Sequence, residues 1–449
     1  MDRRAFLLMT VASALQPEGS TPPTAVAPDT PPIAPATMAD AQAAAFQKWL
    51  GDFQVRAIAA GWPPELVTAQ MSGLTLNPKV IEVDTRQPEF VKSTGDYVKA
   101  SVTEARIQTG RRKRAEVSQF PDIEAKYGVP SEILTAIWSQ ESAFGTFQGD
   151  LDVIRSLASL AFDGRRRDWA EAQIFAALRM IKEGDCTREQ MKGSWAGAMG
   201  QTQLIPEAFL SVAVDGDGDG RRDIWNSAAD ALASAGHLMQ RDGWRRGESW
   251  AREVILAPGF DYGLAEGPKH TVREWAEIGA RRADGLPWGD ADQQTPVQLI
   301  LPAGAAGPAF VIFPNHMVIR KYNNSTAYAL SVGLIADRVS GMGPLVASWP
   351  AEPPMSTADR MGAQMALKAL GFDPGSPDGV IGAGTRQALR AWQKSRGLPA
   401  DAHLTQMLSQ QLQAEAADLA NPPPPMPPAR PIQPPAPAAP LAPPTTPPT

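Results

Sequence analysis

The chain contains 449 residues, of which 43% are hydrophobic and 20% are charged, and its formal net charge at pH 7 is -6. This composition is typical of a soluble globular protein, and the length exceeds the roughly 100 to 200 residues of one ordinary domain, so we expect more than one folded unit. The acidic balance provides no basic stripe of the kind that DNA or RNA binding requires, and we exclude nucleic acid as a partner.

The N-terminus has the pattern of an export signal. Arg3 and Arg4 precede an apolar stretch that ends in small residues and is shorter than the roughly 20 residues of a membrane-spanning helix. We predict a signal peptide over residues 1–14 and a periplasmic protein, with an uncleaved anchor as the alternative. The paired arginines resemble a twin-arginine signal, and Sec export is the other route. The sole cysteine, Cys186, does not follow the signal as a lipoprotein would require.

Proline marks the boundaries of the folded units. Many of the 43 prolines lie in a predicted linker over residues 15–38 and a predicted disordered tail over residues 415–449. A further proline-rich break, residues 349–355, separates a central domain, residues 39–348, from a C-terminal domain, residues 356–414.

The central domain has mainly helical periodicity. Apolar residues recur at helical spacing in segments such as Ala43–Ile58 and Asp168–Ile181. Candidate strands are short and late in the chain: Val254–Leu256, Val297–Leu301, Phe310–Phe313 and Val318–Lys321. We therefore predict a mainly α protein whose α-rich central domain contains a small β element.

One predicted helix places a carboxyl group on its apolar face. Pro130 and Ser131 favour a helix start, and Gly145 favours a stop. Glu141 falls on the same face as Leu134 and Ile137, because residues four and seven apart align on a helix. Burial there would raise its pKa and keep it protonated, the state that a general acid needs. The alternative is a solvated glutamate on a fraying last turn.

An Asp/Gly-rich segment, DGDGDGRRDIWN, resembles an EF-hand calcium loop. It departs from the pattern where Asn226 replaces the bidentate glutamate, and we expect Asp230 to complete the set. A metal-free turn is the alternative. The predicted structural Ca²⁺ site comprises Asp215, Asp217, Asp219, Arg221, Asp223 and Asp230.

The C-terminal domain has two amphipathic helical patterns around a Gly/Asp/Pro-rich loop, and its size suggests a bundle of about three helices. Its segment DGVIGAGTRQALRAWQ is similar to the type-1 peptidoglycan-binding domain, a resemblance carried by Asp378, Gly379, Thr385 and Arg386. The alternative role for the loop is to turn the chain and cap the helix.

Several central motifs, in order along the chain, resemble the MltB-type lytic murein transglycosylases. They are ESAFG, SLASLAFDGRRR, SWAGAMGQTQLIPEAF and VDGDGDGRRDIW, with Leu204 and Ile205 where many relatives have Phe and Met. The resemblance implies a lysozyme-like fold, catalysis by Glu141, and no catalytic cofactor. It also implies substrate-site roles for Ser194, Gln203, Tyr322, Asn323 and Tyr328.

The chemistry that follows from this resemblance uses one carboxyl group. Asp150, Asp152 and Asp163 follow Glu141, but we expect them to cap helices or meet the arginines after them. A single Glu acid/base would cleave the MurNAc-GlcNAc β-1,4 bond with help from the substrate acetamido group and leave 1,6-anhydro-MurNAc ends.

Two alternatives are a muramidase that uses water and a noncatalytic peptidoglycan-binding or scaffold protein. The expected partners are peptidoglycan glycan strands and cell-wall machinery, and the expected state is a monomer. Aromatic residues near the motifs either stack on sugars or belong to the core: Trp138, Trp195, Phe209, Trp225 and Tyr328.

Overall fold

The structure is a computed structural model that describes residues 38–86 and 93–420. The predicted signal peptide, the linker before Met38 and the chain after Ala420 lie outside the described residues. The helices are α1 Met38–Ala59, α2 Pro64–Met71, α3 Pro78–Arg86, α4 Thr94–Ser101, α5 Glu104–Glu116, α6 Phe120–Tyr127, α7 Ser131–Ser142, α8 Val153–Asp163, α9 Arg167–Glu183, α10 Pro206–Val212, α11 Ala228–Arg241, α12 Val272–Ile278, α13 Asp290–Gln293, α14 Pro314–Tyr322, α15 Thr326–Ser340, α16 Thr357–Ala369, α17 Ala383–Ser395 and α18 Gln406–Ala420. The prediction of a mainly α protein is confirmed. Within the described ranges, none of these helices has both the length and the apolar composition needed to span a bilayer.

The helices of the central domain pack around two hydrophobic cores. One contains Phe46 and Phe53 of α1 together with residues of α8, α9 and α10. The other surrounds α7, which packs against α5, α11 and α15 and is buried on every side except at Glu132 near its start. A helix buried all round forms the centre of a domain, so residues at the end of α7 are held by several neighbours at once.

The β element is an antiparallel five-stranded sheet in the order β4-β6-β7-β3-β5. Its strands are β3 Ala251–Leu256, β4 His270–Thr271, β5 Ala280–Arg282, β6 Pro296–Ile300 and β7 Ala309–Ile312, and a separate two-stranded pair joins β1 Leu151–Asp152 to β2 Lys192–Gly193. Three of the predicted strands overlap β3, β6 and β7.

The fourth predicted strand, Val318–Lys321, is wrong because these residues belong to helix α14. Pro314 occupies the first turn of α14, where its fixed φ favours a helix and its missing N–H costs no hydrogen bond. Val318 and Ile319 are then buried together on the side of α14 that faces the core, followed in the last turn by half-buried Arg320 and exposed Lys321. Tertiary burial decided the conformation of this short apolar segment.

The C-terminal domain is the predicted bundle of three helices. α16, α17 and α18 enclose a separate core that includes Leu367, Leu389, Trp392 and Leu412. Helix α18 continues to Ala420, so residues 415–420 belong to the bundle, whereas the sequence predicted that the tail begins there.

The loop motif of this domain is held from inside. The Gln364 amide donates hydrogen bonds to Asp378 at 3.2 Å and to Thr385 at 3.0 Å, and its oxygen accepts one from the backbone of Gly379 at 2.8 Å. Gly379 has a φ of 76°, a conformation that favours glycine. Asp378, Gly379 and Thr385 therefore build the turn, as the structural alternative for this loop predicted.

The two domains contact each other through polar groups. Arg386 of the motif pairs with Glu266 of the central domain at 2.8 Å, and Asp401 accepts a hydrogen bond from the backbone of Ala305 at 2.8 Å. Trp349, in the connecting segment, stacks on Phe310 with ring centroids 6.3 Å apart. The proline-rich break is thus a packed connection between two domains in contact.

The close approach of α15 to Trp250 gives a prediction about stability. A Cβ added at Gly333 would lie 2.2 to 2.4 Å from the Trp250 indole, which is buried and bonded through Nε1 to Asp337. We expect Gly333→Ala to lower the free energy of unfolding by about 1 to 3 kcal/mol, because the ring cannot move without disturbing its neighbours. Gly51→Ala is the matched control: no atom lies within 4 Å of the added Cβ, so stability should hold or rise. Chemical denaturation measures both, and an unchanged midpoint for Gly333→Ala would contradict the packing.

Candidate active site

Helix α7 ends in an unusual turn that places its last side chains. It begins at Ser131 after Pro130, as predicted, but it ends at Ser142 and not at Gly145. Ala143 and Phe144 follow in the left-handed region, with φ of 48° and 62°. Two consecutive non-glycine residues in this region cost free energy, and such strain is often found at functional sites. The Ser142 hydroxyl stabilises the turn, since it accepts from the backbone of Gly145 and donates to the Gln201 carbonyl.

Glu141 lies in the last turn of α7, and its carboxyl group is buried. The residue is only 9% exposed, so the alternative of a solvated glutamate is wrong. Tyr328 on α15 donates a hydrogen bond of 2.5 Å from its hydroxyl to Glu141 Oε1. Burial raises the pKa of Glu141 to about 8, although the hydrogen bond from Tyr328 opposes part of this rise. The carboxyl group is therefore mostly protonated at neutral pH.

Two tyrosines from neighbouring helices accompany this carboxyl group. Tyr328 is fully buried, and Tyr322 at the end of α14 donates its hydroxyl proton to the Thr202 carbonyl at 2.5 Å. Burial, followed by the negative charge of ionised Glu141, raises the pKa of both phenols well above the usual value, so both remain hydrogen-bond donors. Asn323 directly follows Tyr322 in the chain and is the C-cap residue of α14. It is also buried.

The segment SWAGAMGQTQ forms a tight turn beside α7. The hydroxyl of Ser194 accepts from the backbone of Ala196 and Ala198, at 3.3 and 3.1 Å, and so shapes the start of the turn. The amide of Gln203, which has a φ of 51°, donates to the carbonyls of Gln148 and Gly200, both at 3.0 Å. The side chains of Ser194 and Gln203, both predicted to lie in the substrate site, therefore stabilise the conformation of loops through hydrogen bonds to the backbone.

Gln201 is a site residue that sequence reasoning missed. Its Oε1 accepts from the indole N–H of Trp138 at 2.9 Å, its Nε2 donates to the Trp225 carbonyl at 3.2 Å, and its own carbonyl binds Ser142. The motif GQTQ contains two glutamines, Gln201 and Gln203, and the family resemblance assigned a substrate-site role only to Gln203. The connection of Gln201 to both Trp138 and Ser142 fixes the helical turn that carries Glu141.

The other nearby carboxylates have structural partners. Asp152 caps α8 by accepting from the backbone of Arg155 and pairs with Arg188, and Asp163 pairs with Arg165. Burial raises the pKa of Asp337 to about 6, but that carboxylate is bonded to Trp250. At a rise of about 1.5 Å per residue, Asp337 lies roughly 13 Å along α15 from Tyr328. The partners of these three carboxylates are therefore residues other than Tyr328, which binds Glu141.

The predicted metal loop brings four carboxylates together. Asp215, Asp217, Asp219 and Asp230 each offer an oxygen, and these atoms lie within 4.8 Å of one another. Asp223 instead accepts from the backbone of Trp225 and Asn226. Arg221 donates its backbone N–H to Asp219, which leaves only its carbonyl as a ligand atom. Four hard oxygen donors, three on the loop and Asp230 in the first turn of α11, form a set that fits Ca²⁺.

The five predicted aromatic residues are all buried, which supports the core interpretation. Phe209 and Tyr328 are essentially inaccessible, whereas Trp138 and Trp225 also line a groove beside Gln201.

Two protein-family models match this chain. The family model described as transglycosylase SLT domain matches residues 45–337, and the model for the peptidoglycan binding domain matches residues 356–412. The crystal structure of SltB3 from Pseudomonas aeruginosa in complex with NAG-anhNAM-pentapeptide is 42% identical, with a TM-score of 0.78, over 82% of this chain and 99% of that one.

Two relatives from Escherichia coli are more distant. Membrane-bound lytic murein transglycosylase B of strain K12 is 30% identical over 217 residues, which are 48% of this chain and 58% of that protein, so the match spans less than two thirds of that relative. The structure of the lytic transglycosylase Slt35 in complex with calcium is 25% identical, with a TM-score of 0.56, over 66% of this chain and 93% of that one.

The raised pKa of Glu141 gives a prediction about stability and pH. A carboxyl group whose pKa rises from 4.5 to about 8 on folding stabilises the fold below its unfolded pKa, and this stabilisation is lost as the pH rises through 8. Glu141→Gln cannot ionise, so the variant should match the wild type near pH 5 and exceed it by roughly 2 to 5 kcal/mol at pH 9. Glu132→Gln, at the start of the same helix, is the control for the substitution itself. Denaturation at several pH values measures the differences, and parallel curves for wild type and Glu141→Gln would show that the carboxyl group is solvated.

Proposed function

The chain belongs to the transglycosylase SLT domain family, and from this premise we propose that it is a lytic transglycosylase that cleaves the MurNAc-GlcNAc β-1,4 bond of peptidoglycan. The observation that carries the proposal is the buried carboxyl group of Glu141 at the end of α7, which accepts a hydrogen bond from Tyr328. A general acid must hold a proton at the working pH and lose it to the leaving oxygen, and a pKa near 8 meets this requirement.

The reaction needs one carboxyl group that acts twice. Glu141 first donates its proton to the glycosidic oxygen as the bond to the anomeric carbon breaks, and the acetamido oxygen of the same sugar attacks that carbon. Glutamate then takes the proton of the muramoyl 6-hydroxyl, whose oxygen attacks the anomeric carbon and releases the acetamido group. The product is a 1,6-anhydro-MurNAc end, and the carboxyl group regains its proton.

The predicted substrate residues divide into three groups. Tyr328 holds Glu141 in position, because its hydroxyl donates a hydrogen bond to Oε1 of the Glu141 carboxyl group. Tyr322 and Asn323, at the end of α14, are the residues that bind the acetamido group and the developing charge. Ser194 and Gln203 shape the turn that faces the substrate through their backbone contacts.

The relatives support this assignment. SltB3 from Pseudomonas aeruginosa has been crystallised with an anhydro-muramoyl pentapeptide ligand, and that structure covers most of this chain at 42% identity. Attack by the substrate's own hydroxyl is favoured over attack by water when the reacting groups are held together, because the entropy cost of their encounter has already been met. A periplasmic location follows from this substrate.

The mechanism predicts a large loss of activity from one substitution. Glu141→Gln keeps the shape and accepts the Tyr328 hydrogen bond but cannot transfer a proton, so cleavage of purified sacculi should fall by at least about 10² to 10⁴. Glu132→Gln on the same helix should retain activity. Mass analysis of the released fragments should find 1,6-anhydro ends; reducing ends would make the protein a muramidase. Full activity of Glu141→Gln would rule out the acid assignment.

The Asp-rich loop, residues 215–230, is a structural Ca²⁺ site in this proposal. Its carboxylates carry several negative charges within a few ångströms, and a cation would relieve their repulsion. The Slt35 structure in complex with calcium supports the choice of metal. Ca²⁺ has no step in the chemistry, and no catalytic cofactor is needed.

The calcium proposal predicts a change in thermal stability. Ca²⁺ should raise the Tm of the wild type because it binds the folded loop selectively, and chelator should reverse the shift. The Asp217→Ala/Asp219→Ala variant should lose the response. Glu277→Ala/Asp418→Ala removes two exposed carboxylates elsewhere and should keep it. A wild-type Tm that is independent of Ca²⁺ would show that the loop is a metal-free turn.

The C-terminal domain serves as a module that binds the same polymer. Attachment to the wall raises the local concentration of glycan at the catalytic domain without any new catalytic contact. The polar contacts between the two domains, such as Arg386 with Glu266, are of a kind that domain rearrangement can break.

A deletion tests the binding module. Removal of residues 350–449 should reduce sedimentation with sacculi while leaving turnover of short soluble strands nearly unchanged. Removal of residues 421–449 alone is the matched control and should leave both properties intact. Equal sacculus binding by all three proteins would contradict the role of the module.

A further inference from the structure

A cavity of about 570 Å³ lies where the two domains meet. Its wall includes His316 and Arg320 of α14 in the central domain and Arg386 of α17 in the C-terminal domain. Strained backbone borders the cavity on both sides, since Glu266 and Ala402, which also line it, have φ of 60° and 58°. Non-glycine residues in this conformation cost free energy and are concentrated at ligand sites and switches. These features make the cavity a candidate ligand site.

Arg320 is a cation of this cavity that lacks a carboxylate partner. Its guanidinium group makes one side-chain hydrogen bond, from Nη2 to Asn324 Oδ1 at 2.9 Å, and its Nε is enclosed without a partner. Within residues 38–86 and 93–420, no carboxylate lies at ion-pair distance from it. The side chain is half-buried and lines the cavity, so a ligand there can reach the remaining N–H groups. Donors without an acceptor cost free energy, and an acceptor is therefore missing beside Arg320.

The charges around Arg320 leave an excess of positive charge. Burial lowers the pKa of Arg320, the positive charge of Arg386 lowers it further, and the negative charge of Glu266 opposes only part of this shift. Glu266 is also shared, because it pairs with Arg386 at 2.8 Å and lies 3.6 Å from Arg390. One carboxylate thus faces three guanidinium groups, which stay charged at neutral pH.

Arg386 has N–H groups left over from its pair with Glu266. Its Nε binds Glu266 and its Nη1 donates to the Ile381 carbonyl at 2.8 Å, while Nη2 makes no hydrogen bond to a described residue. Arg320 and Arg386 therefore offer unused donors to the same cavity from two different domains.

The other two carboxylates of the cavity are already engaged. Asp401 accepts hydrogen bonds from the backbone of Ala305 at 2.8 Å and from the amide of Gln393 at 2.7 Å. Glu352 Oε1 lies 2.7 Å from Nε2 of His403. An anion from solution is the remaining way to neutralise Arg320.

His316 favours an anion over a metal ion in this cavity. It lies one turn before Arg320 on the same face of α14, is fully buried, and has no partner for either ring nitrogen among the described residues. Burial, followed by the positive charge of Arg320, lowers its pKa to about 3, so the ring is neutral. A metal ion at this ring would be repelled by Arg320, and the enclosed nitrogens are not assigned a ligand contact.

We propose that Arg320 and Arg386 together bind a small oxyanion, of the carboxylate or phosphate type, in this cavity. Arginine presents its N–H groups in a planar fork that matches either group. An anion held by both side chains would connect α14 to α17 and stabilise the contact between the domains. The proposal does not depend on the transglycosylase function, because Tyr322 is roughly 200° around α14 from Arg320 and faces the Thr202 carbonyl.

Inorganic phosphate is the probe for this site. Isothermal titration calorimetry of the full-length protein, at constant ionic strength and without added Ca²⁺, should find one phosphate bound per chain. Arg320→Gln and Arg386→Gln, one in each domain, should each weaken binding about tenfold or more, because each removes a charge-assisted hydrogen bond. Glu266→Gln should instead tighten binding about two- to fivefold, since it removes a competing negative charge.

Arg281→Gln is the matched control for loss of one positive charge. Arg281 is exposed on β5, at the edge of the sheet, whereas the strands that line the cavity are β6 and β7. This variant should bind phosphate as the wild type does. A thermal melt without phosphate checks that each variant is folded, and if one arginine variant fails to fold, the other and Glu266→Gln still test the site.

The outcomes separate a bridging site from other modes of binding. Absence of saturable phosphate binding by the wild type, or equal affinity of the wild type and both arginine variants, would overturn the proposal. Weakening by Arg320→Gln alone would show that the anion does not connect the domains, which also overturns it. Acetate then identifies the type of oxyanion: displacement of phosphate by acetate supports a carboxylate ligand, and failure to displace it supports a phosphate ligand.

Discussion

Burial of the Glu141 carboxyl group is the constraint on which the rest of the central domain depends. A carboxylate surrounded by α5, α11 and α15 would be costly to ionise, and its pKa near 8 is the direct result. The fold tolerates this because the group stays neutral and Tyr328 gives it a hydrogen bond. The same desolvation that lowers stability at high pH is what makes Glu141 usable as an acid in neutral solution.

Hydrogen bonds through Gln201 connect the helix that carries this carboxyl group to the Asp-rich loop. The backbone N–H of Gln201 donates to the Ile224 carbonyl and its amide to the Trp225 carbonyl, both at the end of the loop, while its other contacts hold Trp138 and Ser142 of α7. Asp230 joins the two ends of the loop by accepting from the backbone of Gly216 and Asp223. A cation in this loop would therefore stabilise the support of the catalytic helix although it lies outside the reacting groups.

Backbone strain is concentrated in the turn that follows α7. Ala143 and Phe144 adopt left-handed conformations, and Gly110 of α5 packs closely against α15, since an added Cβ would lie 3.1 Å from Val339. Lys113 and Glu116 of α5 lie at the edge of the groove that Trp138 and Trp225 line. The C-terminal domain contacts the sheet region through Arg386 and Glu266, so its loop motif both builds its own turn and takes part in the domain contact.

The sequence by itself determined the helical class, the three-helix C-terminal domain, the family and the position of Glu141 on an apolar face, because each of these depends on local periodicity or on a contiguous motif. Only the tertiary structure decided that Val318–Lys321 is helical and that α7 ends at Ser142, since burial against α15 and the bond from Ser142 to Gln201 are contacts between distant segments. For the same reason it alone identified Gln201, and Tyr328 as the partner of Glu141: those two residues are 187 positions apart in sequence, and no local pattern records a hydrogen bond across that distance.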